Sequence, residues 1–591
     1  MFLNFYKYIS NHKTILISTI MVITFYACSY HLLIPLFNFS PDFNLGDDGG
    51  FHIGRIQSLA DDIKDGQFPV KMYMSMSAGY GYPAGIMYPD LFLYPFAFLR
   101  LLGVPLFTCT CLLVFFINIS TILLSFFCAK IIFKKNSIAL LFCVLYSINP
   151  YRLYCLDIRF AIGELLAIIF LPLILMSMYK LVTFDYNNNK TVRPTKYWIM
   201  LSLGFTGVIY SHVLTVVVIL IFLTPTVLVI LFIKKDIQLL LDLIKAVVLC
   251  FALTLAFIVP FIDYFLSYKQ DIAYGKIPVE FIVNNEDRAN YFSFNDQFRN
   301  GWAIYIAYVL WPFIYFKFKN KINKNFKIFG WLLFCMSLAF LLLIKSESFW
   351  KLGLSDNIVL STIVMKLACV QYPWRYYTYM IICLIFLLCI CFYILSQNKT
   401  KYLQVANLSI SIILTFSYFL AFSYTGVIPR ANFVNTQQYF DNYVPEADNL
   451  YLPSADDIAY QEDFLNTWKP LNEKLDYKNK DVTYGRAWQY SIDLWIEVKN
   501  NSSKTTKIDI PRVQYPYVEV YDQKSNKKLS SQIDWWSSFV NVELPENYNG
   551  TIYCTFNKPI YWSIGEGVCL IFWFILIIYA VYNYKIKQFK N

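Results

Sequence analysis

Residues 197–233 read YWIMLSLGFTGVIYSHVLTVVVILIFLTPTVLVILFI, without an Asp, Glu, Lys or Arg among them. The residues form one continuous apolar run, with neither the 3.6-residue rhythm of a surface helix nor the two-residue alternation of a strand. A helix needs about 20 such residues to cross the hydrocarbon of a bilayer. The run therefore fits two membrane helices meeting in a tight turn at Ser211-His212. Outward from it, comparable runs lie at 14–36, 106–133, 137–154, 164–181, 240–266, 301–317, 328–345, 374–396, 403–424 and 562–584, which makes roughly twelve spans. The composition agrees, since the 591 residues are 57% hydrophobic and only 15% charged. Soluble chains carry about 25% charged residues. The expected class is an all-α polytopic membrane protein. Segment 86–103 is also apolar, but Arg100 and Gly103 end it early, and it reads as an interfacial or re-entrant helix.

The formal charge of +11 needs no nucleic acid to explain it. Alternate gaps between the spans are basic: Lys7 and Lys13; Lys130, Lys134 and Lys135; Lys180, Lys190, Arg193 and Lys196; Lys234 and Lys235; Lys317 to Lys327; Lys399 and Lys401; Lys585 to Lys590. Basic loops stay on the cytoplasmic side, so both termini are expected in the cytoplasm. Gaps 38–105, 154–163, 267–300, 346–373 and 425–561 then face outward. The first apolar run lacks a small-residue cleavage site and reads as a retained helix. Most of the 14 cysteines sit in apolar runs, and no CxxC or Cys/His cluster suggests zinc or a disulfide framework.

Three regions follow from these boundaries. Residues 1–424 form the transmembrane part, with a large first outer loop at 38–105. Residues 425–561 form a small extracytoplasmic mainly-β domain, whose second half alternates apolar and polar residues around turn formers such as Asn547 and Gly550. Residues 562–591 form a last helix and a basic cytoplasmic tail.

The residues able to carry chemistry lie in the outward gaps. Asp47-Asp48-Gly49-Gly50-Phe51-His52, with Arg55, pairs two carboxylates with glycines that let a ligand approach. A carboxylate there can act as a base or metal ligand, and it can equally cap the following helix. Asp157 and Arg159 read as an ion pair, and Glu164 as a favourable charge at a helix N-terminus. His212 sits in the tight turn. Arg375, in Tyr372-Pro373-Trp374-Arg375, suits either a lipid phosphate or snorkelling to headgroups. Four separate segments thus deliver ionisable groups to one side of the membrane. The helix centres are nearly uncharged, whereas an ion-coupled transporter keeps such groups near midplane.

These segments, together with Gly66-Gln67-Phe68-Pro69, Gly79-Tyr80-Gly81-Tyr82-Pro83 and Arg159-Phe160-Ala161-Ile162-Gly163-Glu164, resemble the bacterial "6-pyruvoyl-tetrahydropterin synthase-related" membrane proteins. That family is similar to YfhO-like and GT-C glycosyltransferases. The resemblance implies a GT-C-like fold in a bacterial plasma membrane. It also implies transfer of a sugar from a polyprenyl-phosphate donor to a cell-envelope glycan or lipid acceptor. Carried over, the resemblance gives Asp48 or Asp47 the catalytic role, as base or as ligand to a divalent metal ion. It implies that His52, Arg55, Asp157, Arg159, Glu164, His212 and Arg375 line the substrate site. A pterin-synthase three-histidine zinc site is not expected from four histidines without ligand spacing. Two other classes fit the composition: a polysaccharide or lipid transporter or flippase, and a non-catalytic envelope glycan-binding protein.

Overall fold

The computed structural model describes residues 13–36, 42–44, 46–184, 195–267, 277–284, 302–370, 372–397, 433–435, 440, 471, 475, 479–533 and 539–590. They divide into two compact units, each assembled from separate stretches of chain. One comprises Met1–Asp48, Cys111–Val248 and Ala273–Gln437; the other comprises Gly49–Thr110, Leu249–Ile272 and Gln438–Asn591.

The helices in chain order are α1 (Lys13–Leu36), α2 (Gly49–Lys64), α3 (Ala84–Met87), α4 (Tyr94–Leu101), α5 (Leu106–Phe133), α6 (Asn136–Ser147), α7 (Pro150–Asp157), α8 (Ile162–Thr183) and α9 (Thr195–Ile209). They continue with α10 (Val213–Lys234), α11 (Ile237–Ser267), α12 (Ile277–Asn284), α13 (Ile306–Phe318), α14 (Lys324–Lys345), α15 (Glu347–Lys351), α16 (Ile358–Leu367), α17 (Tyr377–Ser396) and α18 (Ile560–Lys590). Among the described residues seven helices are long and apolar enough to cross a membrane: α5, α8, α10, α11, α14, Pro373–Ser396 and Ile560–Asn583. This is a multi-pass membrane protein.

The sequence reading of roughly twelve spans exceeds the seven found among the described residues, or eight if the bent pair α6–α7 is one span. The run 137–154 is not one straight span, because α6 and α7 meet at a 41° bend. Asn149 causes the break: its side chain accepts hydrogen bonds from Tyr151 N and Arg152 N, and Pro150 follows as a helix-starting residue. The runs 14–36, 197–213 and 301–317 contain apolar helices of 15, 14 and 13 residues at Ile15–Ser29, Lys196–Ile209 and Ile306–Phe318. Expected span 403–424 lies outside the described residues. Segment 86–103 folds as the short helices α3 and α4 with a turn between them.

In the first unit, α17 is the central helix. Its window Pro373–Ser396 is 94% buried, and α6, α13 and α14 pack on it. A helix apolar all round can accept neighbours on every side. Helices α8 and α9 pack closest where α9 offers glycines. A Cβ on Gly204 would lie 2.7 Å from Ile174 Cγ1, and one on Gly207 2.4 Å from Phe170 Cδ1. Small residues let membrane helices approach in this way. One end of the unit gathers Phe133, Tyr179, Phe326 and Tyr393. Lys135 there donates to Ser396 Oγ at 2.9 Å, and Lys180 is the basic residue in the last turn of α8. Glu164 opens α8, sixteen residues earlier, so the two charges are separated by about 24 Å of helix.

In the first unit, strands β1 (Asp42–Asn44) and β2 (Phe433–Asn435) pair antiparallel. In the second unit, strands β3 (Val482–Tyr490), β4 (Asp493–Asn500), β9 (Asn549–Phe556) and β6 (Val518–Asp522) form an antiparallel sheet in the order β3-β4-β9-β6. Strands β5 (Thr506–Val513), β8 (Phe539–Leu544) and β7 (Ser531–Ile533) form a second, in the order β5-β8-β7. Alternate residues are buried, including Leu494, Ile496 and Val498 on β4 and Val540, Val542 and Leu544 on β8, as half-buried strands require. This small β region precedes α18, as the alternation in the sequence predicts. The segment 66–82 packs on it. Arg512 Nη1 donates to Gly79 O at 2.7 Å, Val513 N to Tyr80 O at 3.1 Å, and the Tyr80 and Phe539 rings stack. Asp263, near the end of α11, accepts from Tyr517 Oη, Tyr561 Oη and Trp562 Nε1, each at 2.7 Å.

Candidate functional site

The first unit brings the predicted residues of four segments toward one carboxylate. Asp47 N donates to Ile158 O at 3.0 Å and Asp48 N to Arg159 O at 2.7 Å, so the strand of chain at 46–48 lies along the α7–α8 turn. Only glycine fits at 46. Its φ is +67°, and a Cβ would sit 2.8 Å from Phe160 Cβ and 2.9 Å from Ile158 O. The clasp sets the Asp48 carboxylate 3.4 Å from Arg159 Nη2. Arg159 Nη1 in turn lies 2.9 Å from Glu164 Oε2.

Glu164 is buried, and its second oxygen accepts from Tyr151 Oη and Thr378 Oγ1, both at 3.0 Å. Its carboxylate is thus held by α7, α8, α17 and the turn between the first two. A buried carboxylate needs such partners, because an unpaired one costs several kcal/mol. Burial opposes the charge on Arg159, but Glu164 and Asp48 outweigh it and keep the guanidinium protonated. Asp48 differs in exposure: its side chain is 43% accessible. The arrangement therefore presents one accessible carboxylate, steered by an arginine that a buried glutamate orients.

His212 immediately precedes α10, and its Nδ1 lies 2.9 Å from Thr215 Oγ1. Desolvation pushes its pKa down to about 3, with the Arg375 charge adding to the effect and Glu164 opposing it. The imidazole is neutral at physiological pH. Arg375 sits in the turn Pro373–Tyr376 that leads into α17, its guanidinium 5.5 Å from the centre of the Tyr372 ring. Lys345, the last residue of α14, has its ammonium 5.6 Å from the centre of the Tyr377 ring, and that ring is 5.7 Å from Tyr151.

The remaining predicted residues are placed differently. Asp157 is buried rather than on the surface, and the ion pairs of Arg159 go to Asp48 and Glu164 instead. Asp47 is exposed. His52 and Arg55 belong to the second unit, on α2. There Arg55 is 1% exposed and forms an ion pair with Asp90. It also donates from Nη2 to Pro89 O at 2.6 Å and lies 4.1 Å from the centre of the Tyr88 ring. His52 Nδ1 lies 3.4 Å from Arg55 Nη1, and its ring is edge-on to Tyr88. These contacts tie α2 to the Tyr88-Pro89-Asp90 turn. Among the described residues no group of three His, Cys, Asp or Glu side chains is arranged to hold a metal ion.

Sequence reasoning did not single out Gly46, Tyr151, Thr378 or Lys345. Thr378 lies three residues past Arg375, one helical turn on, and that spacing was its available signal. No protein-family model matches the chain, and no curated protein matches it.

Proposed function

We propose that the chain is a GT-C-like membrane glycosyltransferase related to the YfhO-like proteins. It transfers a sugar from a polyprenyl-phosphate carrier to a cell-envelope glycan or lipid at the outer face of a bacterial plasma membrane. The observation that carries the reading is the Asp48–Arg159–Glu164 relay: one accessible carboxylate, oriented by a buried ion pair. The lysine pattern of the loops supports an orientation with both termini cytoplasmic and the relay outside.

In this reaction the Asp48 carboxylate accepts the proton of the acceptor hydroxyl as its oxygen attacks the anomeric carbon. The new C–O bond forms while the bond from the anomeric carbon to the phosphate oxygen breaks, inverting the centre. The electron pair leaves on the lipid phosphate. Arg375 and Arg159 are the cations suited to stabilise that charge, since a guanidinium presents a fork of donors to phosphate. His212, held neutral, offers a hydrogen bond in place of a charge. Glu164 fixes Arg159. His52 and Arg55 shape the segment that follows Asp48 in the chain. The resemblance also admits a divalent metal ion, for which Asp47 and Asp48 are the available carboxylates.

The test is sugar transfer in proteoliposomes from a panel of radiolabelled polyprenyl-phosphate sugars, with and without chelator. Transfer by folded wild type supports the reading. Its absence with every donor moves the weight to a transporter or a glycan-binding envelope protein.

A further inference from the structure

The chain from Lys345 to Arg375 joins two spanning helices without crossing. It folds as α15, a turn at Leu352–Leu354, and the ten-residue α16. One side of this strap is packed. Trp350 is fully buried and donates Nε1 to Leu343 O at 2.7 Å, back onto α14. A Cβ on Gly353 would lie 2.8 Å from Val279 on α12 and 3.0 Å from Val364 on α16. Tyr376 Oη donates to Leu367 O at 2.7 Å, pinning the end of α16 to the turn before α17.

The other side is exposed and apolar: Ile358 is 80% accessible, Val359 68% and Ile363 50%. Leu352 and Leu354 in the preceding turn are exposed as well, as are Leu338 and Leu342 on α14. α14 is a membrane-spanning helix, and the bond from Trp350 to Leu343 O holds the strap at the end of that helix. The polar groups of α16 suit a boundary. Thr362 Oγ1 bonds Ile358 O at 2.7 Å within the helix. Lys366, the helix's one charged residue, is long enough to reach headgroups from an apolar bed. At the near end, Ser355-Asp356-Asn357 supplies a polar lead-in, and Asn357 caps the helix through Val359 N and Leu360 N.

We propose that residues 346–367 form a membrane-surface element, with Ile358, Val359 and Ile363 seated at the boundary of acyl chains and headgroups. It anchors the connection between Lys345 and Arg375 to the lipid surface. The inference rests on the spanning helices and is independent of sugar transfer.

Photo-crosslinking tests it. A benzophenone amino acid is introduced singly at Ile358, Val359 or Ile363 of the full chain, in phosphatidylcholine vesicles with radiolabelled acyl chains. Lipid labelling comparable to that from Phe232, on the spanning helix α10, is the expected result, several-fold above labelling from Asn526 in the β region. Labelling at the Asn526 level from all three positions overturns the proposal, as do cross-links to a second protein chain in place of lipid. The three positions are exposed and are read independently, with monodispersity in gel filtration as the folding check.

Discussion

Arg159 Nη1 lies 2.9 Å from Glu164 Oε2, and this buried pair is what gives the half-exposed Asp48 a fixed neighbour. Removing one partner of a buried pair strands the other's charge, at a cost of about 3–5 kcal/mol. Glu164→Ala is therefore expected to lower the unfolding midpoint markedly in detergent or nanodiscs. Glu164→Gln keeps an oxygen for Tyr151 and Thr378, and its loss should be smaller.

Gly46→Ala tests the clasp without touching an ionisable group. With φ at +67° and backbone atoms within 3 Å of the new methyl group, the 46–48 segment must shift. A cost of about 1–3 kcal/mol is expected, together with a fall in transfer that exceeds the loss of folded protein. Thermal unfolding and transfer rate, measured on the same sample, check it.

His212 gives the stability a pH slope. Its pKa falls from 6.5 to about 3 in the folded chain, so the unfolded state binds the extra proton between those values. Its stabilising contribution is complete above pH 6.5 and is lost progressively as pH falls, by at most about 1.4 kcal/mol per pH unit. Melting temperatures from pH 7.5 to 5 should fall more steeply for wild type than for His212→Asn.

Asp263 gathers three donors, from Tyr517, Tyr561 and Trp562. Asp263→Leu leaves those donors without their acceptor, which costs about 1–3 kcal/mol for each one that stays buried. Limited proteolysis should then cleave near 514–517 at protease concentrations that leave wild type intact.

The membrane class was legible because bilayer thickness imposes long apolar runs, and α8, α14 and α17 begin and end within a few residues of the sequence reading. The bend at Asn149 escapes that reading: the Asn-Pro pair that caps and starts a helix lies inside an apolar run that reads as the single span 137–154. At the site, the residue types Asp48, Arg159, Glu164, His212 and Arg375 could be gathered from topology. Their pairing could not. Asp157 and Arg159 are close in sequence, yet a turn with Phe160 at φ +53° sends Arg159 to Glu164 and Asp48. Arg55 meets Asp90, thirty-five residues away, and nothing local in the sequence announces that partner.

Asp48 is the centre of the account, and its half-exposed ion pair with Arg159 is worth no more than about 1 kcal/mol. Asp48→Asn should therefore fold like wild type. The deciding measurement is transfer of radiolabelled sugar from polyprenyl phosphate by Asp48→Asn and Asp47→Asn in matched proteoliposomes. The account predicts a loss of about 100-fold or more for Asp48→Asn and a smaller one for Asp47→Asn. Full transfer by folded Asp48→Asn would contradict it.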